Sequence, residues 1–204
     1  MMNFIAVIAL SFLFLVIVEL AKRVFKLKAE DTRKFAHLGG SLIAASLPLF
    51  LGRDGVAAAG LLFMVLLLAT RRTTLFSSIH GVARRGYGDV YFPASIAICA
   101  ILFLPHDVLA FQFGMLVMGI ADPMAGLIGE RFGTHQLSMF GQRKTLEGSS
   151  AFFVTTLAIA AAFGIADVRA LGMAFFLTFV EASLAFGLDN IAVPILAGLL
   201  IQHF

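Results

Sequence analysis

Almost the whole chain consists of apolar runs about as long as a bilayer is thick. A helix needs about 20 mostly apolar residues to cross the hydrocarbon core. Such runs are predicted at Asn3–Ala21, Phe35–Leu51, Gly55–Thr70, Tyr91–Leu104, Val108–Gly129, Ser149–Ala166 and Val168–Gly187, with a short last segment at Ile191–Phe204. The expected fold is an all-α integral membrane protein, a bundle of seven transmembrane helices plus a short eighth. Charged residues make up 13% of the 204 residues, against about 25% in a soluble domain. With no long polar stretch between the runs, residues 1–204 read as a single domain.

The basic residues orient the bundle. Lys22, Arg23, Lys26, Lys28, Arg33, Lys34, Arg71, Arg72, Arg84, Arg85, Arg131, Arg143 and Lys144 follow the first, third and fifth runs, and only Arg53 and Arg169 lie on the other side. The positive-inside bias puts the first group in the cytoplasm and the N-terminus outside. The same bias accounts for the net charge of +3, so the charge is no sign of nucleic acid. Met1 opens directly into apolar sequence with no basic leader and no small-residue cleavage site, so the first run is expected to be a retained helix. The lone Cys99, inside an apolar run, excludes a disulfide framework and a cysteine metal site.

Charges within apolar runs are costly and mark function by default. Here they gather at the ends assigned to the cytoplasm, in five places. In RKFAHLGGS, Arg33 and His37 are four apart and share a helix face, whereas Lys34 reads as a snorkelling anchor. In GYGDVYFP, Asp89 stands at the start of the fourth run, as an N-cap, a metal ligand or a base. In ADPMAGLIGERFG, Asp122 falls about 21 Å into the fifth run at 1.5 Å per residue, directly before Pro123, which is expected to kink or break the helix. Ala125, Gly129 and Gly133 follow at four-residue spacing, either as a helix-packing face or as room for a ligand. In GQRKTLEGSS, Arg143 and Lys144 offer charge and Thr145 and Ser149 hydroxyls, and Glu147 opens the next helix. A basic loop at a helix N-terminus suits a polyphosphate, although no GxxxxGK[ST] loop is present. In FVEASLAFGLDNIAVP, Glu181 is expected about two turns inside the seventh helix, with Asp189 and Asn190 as a cap for the last segment.

Acidic and basic groups on one face of a membrane bundle fit a metal–polyphosphate complex. Mg²⁺ takes one or two carboxylates plus substrate phosphates, and Lys and Arg neutralise the remainder. A transporter would place polar groups near the midplane, and few are there.

The pattern Asp122-x-x-Ala125-x-x-x-Gly129-x-x-x-Gly133, followed by Gln142-Arg143-Lys144-Thr145-x-Glu147-Gly148, resembles the CTP-binding motif of the dolichol kinase family. That set includes phytol kinase, other polyprenol kinases and CTP-dependent diacylglycerol kinase. RKFAH, GDVYFP and GLDNIAVP resemble it too, so the likeness runs from residue 33 to residue 194. Arg143-Lys144 stands where dolichol kinases often carry two lysines, which keeps the charge. The resemblance implies transfer of the γ-phosphoryl group of CTP to a membrane lipid alcohol, with Mg²⁺ or another divalent cation. It implies a catalytic set of His37, Asp89, Asp122, Lys144 and Asp189. It implies a nucleotide-binding set of Arg33, Ala125, Gly129, Gly133, Arg143, Lys144, Thr145, Glu147 and Gly148, and metal ligands among Asp89, Asp122 and Glu181. The partners implied are CTP, a lipid alcohol and the bilayer, with no nucleic acid. A bacterial inner membrane with the site facing the cytoplasm is the expected location. The rival readings are a cytidylyltransferase that makes a CDP-lipid, and a small transporter or scaffold.

Overall fold

The computed structural model describes residues 3–80, 86–139 and 142–203. Arg84 and Arg85, two of the charges used for orientation, lie outside the described residues, as does the side chain of Arg143.

The chain is a helical bundle with one small hairpin. Helix α1, Phe4–Phe25, starts at Asn3, whose side chain accepts from the Ile5 amide, and carries Lys22 and Arg23 in its last turn, where cations suit the helix dipole. Helix α2, Ala29–Ser46, has Glu30 and Asp31 in its first turn and passes into a tight 3₁₀ turn at Leu47–Leu49. Helix α3 spans Arg53–Thr70, short α4 Ser77–His80 and α5 Gly88–Phe103. Helix α6, Val108–Leu116, is capped by Asp107. It runs through a π-helical turn, Val117–Ala121, into α7, Asp122–Phe132. Strands β1, Gln136–Met139, and β2, Gln142–Thr145, pair antiparallel. Helices α8, Leu146–Ala162, α9, Val168–Ser183, and α10, Asp189–Ile201, complete the bundle.

Among the described residues, three helices are long and apolar enough to cross a membrane: Phe4–Phe25, Arg53–Thr70 and the continuous Val108–Phe132. Gly88–Phe103, Leu146–Ala162 and Asp189–Ile201 are shorter apolar helices. Large apolar side chains cover much of the outer surface. Ile5 is 71% exposed, Phe175 70% and Val168 75%, and a broad apolar exterior of this kind needs an apolar solvent. Inside, Phe103, Phe111, Phe113 and Phe152 are fully buried. Helices α3 and α5 pack at glycine distance: a Cβ on Gly60 would come within 2.7 Å of the Ala97 amide nitrogen.

Four local expectations are corrected. The helix does not stop at Pro123, because this proline is the second residue of α7, where an amide has little intrahelical use, and the wider π turn before it takes up the change of register. Glu181 sits in the last turn of α9, not two turns inside, because the helix ends at Ser183. Asp89 is not the cap of α5 but lies in its first turn, one residue after Gly88. Asn190 likewise does not cap α10, which begins at Asp189.

Candidate active site

Three carboxylates from three helices converge. Asp122 opens α7 directly after the π turn, Glu181 comes from the end of α9, and Asp189 opens α10. One ligand oxygen from each lies within 4.8 Å of the others. Lys144 reaches in from β2, paired with Glu181 and 3.7 Å from Asp189. Glu181 is 2% exposed, and its second oxygen, Oε2, is buried without a hydrogen-bond partner among the described residues. Burial alone would lower the Lys144 pKa, but Glu181, Asp189 and Asp122 outweigh it and hold the ammonium above the usual lysine range. One lysine answers one of three converging negative charges. At about 5 Å and an effective dielectric of about 20, each remaining repulsion is of order 3 kcal/mol. Oxygen donors with excess negative charge and one unsatisfied oxygen fit a hard divalent cation.

Helix α2 supplies the basic wall. His37 and Arg33 both lie within electrostatic reach of Asp122. The His37 ring packs 4.6 Å from that of Phe92, and its Nε2 is buried with no partner. Arg33 donates from Nη2 to Glu30 at 2.7 Å, while its Nε is buried and unpartnered. The wall can stand this close because Gly119, in the π turn, has no side chain where α2 presents Ser41. Lys34 is buried against α7, where it pairs with Glu130 rather than snorkelling to the surface.

The hairpin explains how Lys144 gets there. Its register pairs Gln136 with Thr145 and Leu137 with Lys144. Side chains alternate along a strand, so Lys144 can enter the carboxylate group while its neighbour Thr145 takes the other face. Thr145 caps α8 by accepting from the Gly148 amide at 3.1 Å. Glu147 ties down the approach to β1: it accepts from the Thr134 hydroxyl at 2.7 Å and contacts His135 at 2.8 Å. These bonds, led by the Thr134 hydroxyl, hold its carboxyl well below the usual range.

The small face Ala125–Gly129–Gly133 is filled by protein. A Cβ on Gly129 would meet Thr145 Oγ1 at 2.8 Å, and one on Gly148 would meet the Ala125 carbonyl at 2.9 Å. Of the two readings left open for this face, the structure displays close packing of α7 on the start of α8. Gly129, Gly133, Thr145 and Gly148 therefore form the seam that positions Lys144.

Asp89 stands apart from the three grouped carboxylates. Its Oδ2 contacts His80 Nδ1 at 2.6 Å and Arg71 Nε at 3.5 Å, and His80 Nε2 in turn meets Thr70 Oγ1 at 3.2 Å. The start of α5 nevertheless abuts the start of α10, since the Tyr87 amide donates to the Phe186 carbonyl at 3.0 Å. Asp189, rather than Asp89, stands with Asp122 and Glu181 in the one group among the described residues that could hold a metal ion. Two supports went unnoticed in the sequence. His80 orients Asp89, and the buried Glu19 holds α4 by accepting from the Ser77 hydroxyl at 2.9 Å and the Ser78 amide at 2.8 Å. A carboxylate inside the first apolar run was the available signal for Glu19.

Comparison with known proteins follows the same lines. The chain is 31% identical over 192 residues to a phytol kinase of Synechocystis sp., an alignment covering 87% of this chain and 80% of that one. It is 32% identical over 119 residues to an uncharacterized protein of Methanocaldococcus jannaschii, covering 58% of this chain and 59% of the other. No family model matches. No solved structure matches.

Proposed function

Since the chain belongs to the family of polyprenol and phytol kinases, we propose that it transfers the γ-phosphoryl group of CTP to the hydroxyl of a membrane lipid alcohol. The observation that carries this reading is the convergence of Asp122, Glu181 and Asp189 on Lys144, beside Arg33 and His37. Asp122, Glu181 and Asp189 would hold Mg²⁺, which would neutralise phosphate charge there. Lys144 and Arg33 bind the phosphates of CTP. Positioning and charge neutralisation dominate phosphoryl transfer. The alcohol oxygen bonds to the γ-phosphorus, the bond from that phosphorus to the bridging β,γ-oxygen breaks, and CDP leaves. The hydroxyl proton passes to His37 Nε2, the buried ring nitrogen with no other partner. The bundle spans the membrane seven times with a short eighth segment, the site facing the cytoplasm where CTP is found.

The test is positional labelling. Purified protein, Mg²⁺ and a long-chain isoprenoid alcohol are incubated with CTP carrying label at the γ or the α phosphorus. Lipid labelled only from the γ position is the expected result. Lipid labelled only from the α position would mean nucleotidyl transfer and replace this reading with CDP-lipid synthesis, and no labelled lipid from either would remove the enzymatic reading.

A further inference from the structure

A cavity of about 120 Å³ runs along α2 between α1, α3 and α5. One end is polar, with Arg33, His37, Asp89 and Asn190; the rest of the lining is almost wholly apolar and reaches Leu47. From His37 to Leu47 is ten residues of α2 and its 3₁₀ extension, about 15 Å at 1.5 Å per residue. The polar end also holds three buried atoms without a partner among the described residues: Arg33 Nε, His37 Nε2 and Asn190 Oδ1. Buried polar atoms are normally satisfied, so three around one end of the cavity, two from α2 and one from α10, call for a ligand that can both donate and accept. A hydroxyl does both. Asn190 follows Asp189 directly, and His37 lies within reach of Asp122, so a hydroxyl held here stands beside the carboxylate group.

We propose that this cavity is the acceptor site, and that it admits the hydroxyl-bearing end of one hydrocarbon chain and excludes the two-chain headgroup of a diacylglycerol. The proposal rests on the kinase reading for its chemistry but not for its geometry. A hydrocarbon-lined pocket of about 120 Å³ takes the first few carbons of one chain. Helix α1 packs on α2 and α4, and α3 packs on α5. The cavity lies between these two pairs, with half-buried Phe14 and Leu15 of α1 opposite half-buried Phe63 of α3. The remainder of the chain leaves through this seam into the bilayer, so the site reads the head of the alcohol and its first branches, not its full length. Ala44 and Phe63 are the gauges: Ala44 is 1% exposed at the closed side, and Phe63 stands at the seam.

Two experiments test it, and the first needs no CTP. The protein in nanodiscs is irradiated with a long-chain primary alcohol bearing a diazirine near its hydroxyl, and adducts are mapped by mass spectrometry. Adducts on the cavity wall of α2, α3 or α5, displaced by excess single-chain alcohol and not by diacylglycerol, are expected. Adducts confined to lipid-facing residues, no adducts, or equal displacement by diacylglycerol would overturn the proposal, even if the labelling assay had established the kinase. Wall adducts in a protein that fails that assay would keep the acceptor site and remove the kinase reading. In the second, Ala44→Leu is expected to raise the alcohol KM about tenfold, the scale of a misfitted methylene or two, with the CTP KM unchanged, and Phe63→Ala to relax the preference for one chain. Unchanged alcohol KM in both variants, each with wild-type thermal stability, would contradict the assignment.

Discussion

Two acidic sites lie near each other in this bundle and are built on opposite principles. Asp89 is one carboxylate met by two bases, His80 and Arg71. Asp122, Glu181 and Asp189 are three carboxylates met at close range by one, Lys144. The first is held in place by two cationic or polar partners on one oxygen, Oδ2. The second is left with surplus negative charge and a buried unpartnered oxygen, which suits a cation and a polyphosphate. Counting partners thus separates a positioning carboxylate from a ligand-holding one where residue type does not.

The comparison breaks most severely at Asp122. Asp122→Asn keeps the shape, removes one of the three charges, and is expected to lower kcat on the order of a thousandfold, the upper scale for losing one preorganised electrostatic group. Steady-state kinetics with γ-labelled CTP reads this; activity within tenfold of wild type would place the cation elsewhere. Lys144→Ala should cost about a hundredfold in kcat/KM, chiefly through the CTP KM, because it removes phosphate charge rather than a metal ligand. A change confined to the alcohol KM would count against that role. Asp89→Asn and His80→Ala sharpen the contrast. Each should cost about tenfold or less, the lower end for an indirect support, with the Mg²⁺ concentration for half-maximal rate unmoved. A shifted Mg²⁺ requirement would make Asp89 a ligand.

The smallest effect is expected at Glu147, which holds the hairpin that delivers Lys144. Glu147→Ala should lower the rate a few-fold, about the loss of one or two charge-assisted hydrogen bonds at an exposed position. Its folded carboxyl is depressed, first by the Thr134 hydroxyl. The stabilisation it gives is therefore complete above the unfolded carboxylate range, about pH 4.3, and lost only as pH falls further through the folded value. Amide exchange at His135 and Gly148, corrected for intrinsic rates, should stay protected at pH 5 and open in Glu147→Ala at neutral pH.

Much of the site was legible because a charge in an apolar run is conspicuous. Asp122 and Glu181 stood out for that reason, Lys144 by its place in a basic loop before a helix, and Arg33 and His37 by their shared helix face. The choice between Asp89 and Asp189 was not legible. Both precede apolar helices, and only the packing of α5 on α10 and the hold of His80 decide which one turns to Asp122. The hairpin was hidden because Gln136–Thr145 carries none of the β-branched alternation that marks strands. The glycine face was left open between a packing surface and room for a ligand, because spacing along α7 cannot say that Thr145 and Gly148 are what approaches. The helix order was plain from hydropathy, while the continuity through Pro123 depended on a π turn for which local sequence has no reliable sign.

The most direct measurement is Mn²⁺ binding, with Mn²⁺ standing in for Mg²⁺, followed by electron paramagnetic resonance in the wild type, Asp122→Asn, Asp189→Asn and Asp89→Asn. Loss of the bound-ion signal in Asp122→Asn and Asp189→Asn, with near wild-type binding in Asp89→Asn, is the predicted result. Retained binding in the first two, or loss in Asp89→Asn alone, would contradict the account.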